Sequence, residues 1–540
     1  MKLLAVLGLA ALGQAVDPLV DLGYTQLQGT ALPDAGVTQW LGVRYAAAPL
    51  GDLRFAAPID PPSTSDVQDA TQFQAICLPR NPSDFTMQPH ARSNVSEDCL
   101  FANIFAPSNA TSSSKLPVLY FIQGGGFSSN SNANFNGSGL SAFGNIVVVQ
   151  INYRVGPFGF LQSREVQANG SLNNGLKDQI QGLTWVQKNI EAFGGDSKHV
   201  VASGDSAGAT SLALLLAAWD EHDPRLIKGA ILESPSVATL RTLDQGQEQY
   251  SCLLNATNCT LAADTLGCLR SVNASALLTE GCQFNPHLDD DLVRRPMLQS
   301  YAEGRYLRVP VIAGTCADEG TKNVPAMTNT TTQALRFINE RVGNALTNTS
   351  LALINTTYLL TNRTFAGTFT AATVPQFPRS GPLWRPLANA VGDAGAHCLT
   401  ARLQNAFARD GVKTFNYRFA ALDPNDLKLD GAPDWTAWAG PEGRQRLRVQ
   451  TNATAVETMP DDQVANCEML DPLLPALETP PAPGVQVALN VPGQSNGTSW
   501  AQTNGQRALA SAGSPSLAGG ATHAGVLVAL AAVAAAMALA

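Results

Sequence analysis

Along the first half of the chain, apolar runs alternate with glycine-rich punctuation in a regular order. Leu116-Pro117-Val118-Leu119-Tyr120-Phe121-Ile122 and Ile146-Val147-Val148-Val149-Gln150-Ile151-Asn152-Tyr153-Arg154 are short runs of the kind that form strands buried on both faces. Between residues 173 and 196 the period changes. Leu176, Ile180, Leu183, Val186, Ile190 and Phe193 recur at helical spacing, and Gly194-Gly195-Asp196 stops the helix. Val200-Val201 begins another strand, and Ala209 to Leu216 is helix-forming. Further on, Arg308 to Gly314 and Thr414 to Phe419 read as strands. Pro386 to Arg409 reads as a helix with proline in its first turn. This alternation predicts an α/β fold, a mostly parallel central sheet with helices on both faces. Residues 17 to about 110 read as short strands and turns. From about 471 the chain is rich in Pro, Ala and Gly with little periodicity, and 471–510 reads as a stalk.

Length and composition narrow this picture. The 540 residues suit one large α/β domain or two ordinary ones, and 45% apolar content supplies a sizeable core. Charged residues make up 14%. The net charge of −9, with no basic block, argues against a nucleic-acid partner. Met1 to Ala15 has a lone lysine, a short apolar run and small residues for cleavage, as in a secretory signal peptide. At the other end, small residues Ser511-Ala512-Gly513-Ser514 precede a spacer and the uncharged apolar tail Ala524 to Ala540. Residues 511–540 therefore read as a GPI-anchor signal, with a tail-anchor helix as the alternative. Asn94-Val95-Ser96, Asn109-Ala110-Thr111, Asn255-Ala256-Thr257, Asn355-Thr356-Thr357 and Asn496-Gly497-Thr498 are sequons. Nine cysteines fit an oxidising compartment, and the odd count leaves one thiol over or one bridge to another chain. The expected location is the cell surface, with the anchor as the only membrane contact.

Chemistry concentrates where strand meets helix. Gly204-Asp205-Ser206-Ala207-Gly208 has the G-x-S-x-G form of a nucleophile elbow, which exposes a serine hydroxyl at the tip of a sharp turn. Ser206 then lies beside the N–H groups of a helix N-terminus, where negative charge is favoured. Earlier in the chain, Gln123-Gly124-Gly125-Gly126-Phe127 directly follows a buried strand. Such a glycine loop frees N–H groups to point at a developing oxyanion. Gly125, Gly126 and Ala207 are the candidate donors.

These stretches resemble the type-B carboxylesterase and lipase family of the α/β-hydrolase fold, which includes cholinesterases and fungal lipases. The likeness rests on Gly42 to Phe55, Glu97-Asp98-Cys99-Leu100, Gln123 to Phe127, Asn152 to Leu161, Asn173 to Asp196 and Gly204 to Ala209. It implies one hydrolase domain over residues 17–470, with disulfide-pinned covering insertions. The implied activity is hydrolysis of a small-molecule or lipid carboxylic ester by Ser206, with no metal or organic cofactor. The resemblance makes Glu319, in Thr315-Cys316-Ala317-Asp318-Glu319-Gly320-Thr321, the acid. It pairs Cys77 with Cys99 and Cys259 with Cys268. Cys252 is then left with Cys282, one of three connectivities that four cysteines allow. Cys398 with Cys467 is the remaining expected pair, leaving Cys316 free.

The resemblance departs at the base. The family reads Leu-His-Gly about 110 residues beyond the acid; here Leu429-Asp430-Gly431 fits that triplet, and Asp423 gives a second alignment. Either way an aspartate stands where imidazole is expected. The six histidines are His90, His199, His222, His287, His397 and His523. Three readings stay open: a base supplied by His397 or His287, a fold without efficient catalysis serving as a cell-surface binding or adhesion module, or a fault in the sequence near residue 430. Acyl chain, alcohol and oligomeric state are not legible.

Overall fold

The computed structural model describes residues 17–491, apart from 81–93, 221, 280, 361–379, 421–434, 442, 450–453 and 483. The strands are β1 (Leu19–Asp21), β2 (Gln26–Gln28), β3 (Thr30–Leu32), β4 (Val37–Arg44), β5 (Val67–Asp69), β6 (Ile76–Cys77), β7 (Val95–Ser96) and β8 (Phe101–Pro107). They continue as β9 (Leu116–Ile122), β10 (Val147–Ile151), β11 (Gly195–Asp205), β12 (Gly229–Glu233), β13 (Val311–Cys316), β14 (Thr414–Phe419), β15 (Gln445–Val449) and β16 (Ala455–Thr458).

Eleven of them form the central sheet, in the order β16-β15-β14-β13-β12-β11-β9-β10-β8-β4-β3. From β10 through β15 every neighbouring pair is parallel, and antiparallel pairs flank this block at both ends. The expected mostly parallel sheet is therefore present, and its helices cover both faces. The reason lies in the alternation along each strand. Val200 and Ala202 of β11, Ala230 and Leu232 of β12, and Val311 and Ala313 of β13 enter one core. Val201, Ile231 and Ile312 enter the second core on the opposite face. Helix Ala207–Ala218 lies on the first face and buries Leu212, Ala213, Leu215 and Leu216 completely.

Element positions differ in a few places from the sequence expectation. The ladder expected from Arg308 begins at Val311, because Pro310 has no N–H to donate and uses only its carbonyl, which accepts from Ala230. The long helix starts at Trp384 and passes through one π-helical turn, Asp393–His397, before continuing as Cys398–Arg409. The packed structure also runs beyond residue 470, where a stalk was expected. Helix Leu473–Glu478 buries Leu473 and Leu474, Leu489 donates its N–H to Ser350, and Leu346 bridges Val487.

The insertion between β12 and β13 contains helices Leu243–Thr257 and Thr265–Ser271. Arg54 fastens it to the N-terminal region. Its guanidinium forms a buried pair with Glu97 and donates to the carbonyls of Leu269, Arg270 and Val272.

Candidate active site

At the carboxyl end of β11 the chain reverses at Ser206, which has φ 51° and ψ −116°. A non-glycine residue there is strained by about 1–3 kcal/mol. Two backbone bonds hold it: Ser206 N–H donates to Glu233 O at 2.8 Å, and Ser206 O accepts from Thr210 N–H at 2.9 Å. The flanking glycines are required by space. A Cβ on Gly208 would lie 2.0 Å from the Ile122 carbonyl oxygen, and one on Gly204 would lie 2.5 Å from the Gly208 carbonyl carbon. Helix Ala207–Ala218 starts immediately, so Ala207 N–H has no intrahelical acceptor. Ser206 is partly exposed.

The glycine loop after β9 packs against this turn. A Cβ on Gly124 would come within 3.0 Å of Ser206 Cβ. Gly125 and Gly126 have φ of +116° and +61°, conformations that favour glycine. The Gly125 carbonyl turns back to accept from Ser128 and Ser129 N–H. Among the described residues, the N–H groups of Gly125 and Gly126 have no acceptor. The loop is anchored at its base by Tyr153 OH donating to Gln123 O at 3.0 Å and by Gln123 Nε2 donating to Asn130 Oδ1 at 2.9 Å.

Asp205 adds an anchor that sequence reading did not assign. Its Oδ1 accepts the Gly124 N–H at 2.8 Å, tying the loop to the elbow. Burial pushes the Asp205 carboxyl above its ordinary range, and the Gly124 bond offsets part of that rise. Glu233, on the next strand, is half-buried and pushed up to about 7 by desolvation, and Ser203 Oγ donates to it at 2.7 Å.

Glu319 follows β13. Its Oε1 accepts from Ser234 Oγ at 2.5 Å and from Cys316 N–H at 2.6 Å. Its neighbour Asp318 turns away to Arg385. A Cβ on Gly320 would sit 1.8 Å from Ala388 O, so the turn presses on the long helix. Because β11, β12 and β13 are adjacent and parallel, Ser206, Ser234 and Glu319 stand at neighbouring carboxyl ends, where open α/β sheets place ligands.

Asp430 and Asp423 lie outside the described residues, as do His90 and His523. His397 and His287 are both buried. His397 Nδ1 contacts Asp393 Oδ1 at 3.1 Å and Nε2 contacts Cys316 O at 2.9 Å. Burial alone would lower its pKa, but the Asp393 bond and charge outweigh burial and hold it above the ordinary value. Both ring nitrogens of His397 are thus spent on neighbours of the acid turn. His287 sits with its Nδ1 at Asn285 O and its Nε2 without a partner; burial pushes it down to about 4. Among the described residues, no histidine hydrogen-bonds Ser206 or Glu319. Nor does any group of three His, Cys, Asp or Glu there suit a metal ion.

Four disulfides are present: Cys77–Cys99, Cys252–Cys282, Cys259–Cys268 and Cys398–Cys467, with Cys316 free. These are the pairings expected from the sequence.

The family model described as the carboxylesterase family matches residues 16–448. Para-nitrobenzyl esterase of Bacillus subtilis is 37% identical over 320 residues, which are 56% of this chain and 63% of that protein. Neuroligin-3 of Mus musculus, whose name states no catalytic activity, is 31% identical over 58% of this chain and 44% of its own length. The match thus spans less than two thirds of either curated relative. The crystal structure of Aspergillus niger EstA superposes with a TM-score of 0.75 at 34% identity, covering 86% of this chain and 99% of that one.

Proposed function

We propose that this chain, which belongs to the carboxylesterase family, is a carboxylic-ester hydrolase with Ser206 as its nucleophile and a weakened proton-transfer step. The observation that carries this reading is the elbow itself. A partly exposed serine at positive φ has a glycine loop packed against it, and among the described residues that loop holds two N–H groups without acceptors. Attack of Ser206 Oγ on an ester carbonyl would place negative charge on the carbonyl oxygen. Gly125, Gly126 and Ala207 N–H would receive it, a type of stabilisation worth about 3–4 kcal/mol per donor in serine hydrolases. Glu319, fixed by two donors, would serve as the acid. The base position falls to Asp430. A carboxylate is a poor acceptor for a serine proton, and loss of the histidine in such sites costs about 10⁶ in kcat. Turnover is accordingly slow. The substrate is a small-molecule or lipid ester.

A second reading has its own support. No described histidine touches Ser206, and one relative is Neuroligin-3. On this reading the chain is an esterase-fold binding module of the cell surface. An ester assay separates the two. Purified protein should hydrolyse p-nitrophenyl acetate slowly, and Ser206→Ala should remove that activity. Asp430→His should raise kcat by several orders of magnitude. Native turnover indistinguishable from Ser206→Ala, with a folded but silent Asp430→His variant, would favour the binding module.

The location follows from the two ends of the chain, with residues 1–15 as the signal peptide and 511–540 as the GPI signal. Phosphatidylinositol-specific phospholipase should release the protein from membranes. Retention, with the apolar tail found intact by mass spectrometry, would overturn this assignment.

A further inference from the structure

At the far side of the sheet from the N-terminal strands, three arginines gather around one carboxylate among the described residues. Arg418 is the penultimate residue of β14 and pairs in register with Arg448 of β15. Arg446 lies two residues back on the same strand and opposes Glu457 of β16. Arg446 Nε donates to Glu457 Oε1 at 2.7 Å. Arg418 and Arg448 reach the same carboxylate only at 3.6 Å, beyond hydrogen-bond distance. Among the described residues, three guanidiniums therefore share one carboxylate. The next acid, Asp393, is reached only through Gln463 and is already paired with His397. At the other end of β15, Arg444 has its own partner in Asp461.

Burial makes this imbalance costly. The Arg418 and Arg446 side chains are 9% and 7% exposed, and that of Arg448 is 33% exposed. Arg448 Nε is buried and has no hydrogen-bond partner among the described residues. Arginine cannot shed its proton to escape, so buried charge of this kind needs a counter-ion and acceptors. Desolvation presses the Arg446 guanidinium below its ordinary pKa. The Glu457 charge pulls it back up, and the Arg418 charge presses it down again. What the cluster lacks is a small group rich in acceptor oxygens and carrying negative charge. A guanidinium binds such a group through parallel N–H bonds. The position is also suitable, because Arg418 and Arg448 lie at the carboxyl ends of two parallel strands.

We propose that Arg418, Arg446 and Arg448 form a binding site for a small oxyanion, separate from the Ser206 elbow. The ligand chemistry is a compact phosphate, sulfate or carboxylate group, free or carried on a larger molecule. Arg446 is held by Glu457, leaving Arg418 and Arg448 to supply the ligand-facing donors.

The test is calorimetric titration of the full-length purified protein at fixed ionic strength. Sodium phosphate, sodium sulfate and sodium acetate are the probes, with chloride as control. One site with Kd of about 1 mM or tighter is expected for at least one probe. Arg448→Gln, at a partly exposed position that should tolerate the change, should weaken it at least tenfold. Arg448→Lys, which keeps the charge and loses the fork, should fall between the two. Preference for phosphate and sulfate would identify a tetrahedral group; preference for acetate would identify a carboxylate. Ser206→Ala should leave the affinity unchanged. Silence with all three probes would mean that the guanidiniums are satisfied within the chain, and would overturn the proposal. So would binding that survives Arg448→Gln and Arg418→Gln, or binding lost in Ser206→Ala.

Discussion

Ser234 Oγ and Glu319 Oε1 are 2.5 Å apart, and the same carboxylate oxygen accepts the Cys316 N–H. A residue at the end of one strand thus orients the carboxylate that follows the next strand. Ser234→Ala leaves Glu319 with the backbone donor alone. A hydrogen bond to a charged group is worth about 1.5–3 kcal/mol. In the Asp430→His protein, Ser234→Ala should lower kcat by about tenfold or more while KM changes little. Equal kinetics for the two would show that Cys316 N–H suffices.

Gly208 should be intolerant of any side chain. Its added Cβ would meet the Ile122 backbone carbonyl at 2.0 Å, and neither strand nor helix has a flexible group to yield. Overpacking of this kind costs about 1–3 kcal/mol and more where only backbone can move. Gly208→Ala should lower the thermal midpoint and shift the elbow, so that a fluorophosphonate probe labels Ser206 poorly. Gly126→Ala is the contrast. No atom but the flexible Ser128 Oγ, at 3.9 Å, lies near its Cβ, so strain at φ +61° is its main cost.

The two buried histidines should bend the stability curve in opposite directions. His397 is held above its ordinary pKa. Its contribution is complete below about pH 6.5 and is lost as pH rises through the elevated folded value. His287 is pushed down to about 4. Between about pH 6.5 and 4 the unfolded chain binds a proton that the folded chain refuses, so stability falls on acidification by roughly 3 kcal/mol. Urea unfolding across pH 4–9 should show His287→Leu flattening the acid limb and His397→Gln flattening the alkaline one. An unchanged acid limb in His287→Leu would mean that His287 is not refused a proton.

Sequons should differ in occupancy. Asn94, Asn109 and Asn255 are exposed, whereas Asn355 is partly buried in a π-helical turn with its Oδ1 shielded and unpartnered. Glycopeptide mapping of the protein expressed through a secretory host should find the first three modified and Asn355 bare. A fully occupied Asn355 would require that turn to form after glycan transfer.

The legible parts of the sequence were those where local sterics and burial agree. Gly204, Ser206 and Gly208 declare a turn whatever surrounds them, and the apolar runs of β9 and β10 admit little besides buried strand. The edge of the sheet was less legible. Gln445-Arg446-Leu447-Arg448-Val449 alternates as a half-buried strand does, yet its arginines face inward beside Gln463 and Glu457, a placement that charge alone argues against. Helix Leu473–Glu478 is six residues long inside a proline-rich stretch, too short for periodicity to rise above composition. The partners of His397 are 81 residues away at Cys316 and one turn back at Asp393, and only the fold brings them together. Asp205 was visible as the residue before the serine, but its grip on Gly124 depends on the register of β9 and β11.

The central sheet ends in β3 on one side and β16 on the other, strands of three and four residues. Long open edges are templates on which one chain can add to another and seed aggregates. Among the described residues the edge strands are three and four residues long, and β16 carries Glu457, drawn inward by Arg446. An eleven-stranded sheet is in this way kept from growing in the hydrogen-bonding direction. That would matter on the proposed cell-surface location, where copies of the chain could meet edge to edge. Lengthening β16 with apolar residues should turn this short sheet edge into a site of self-association.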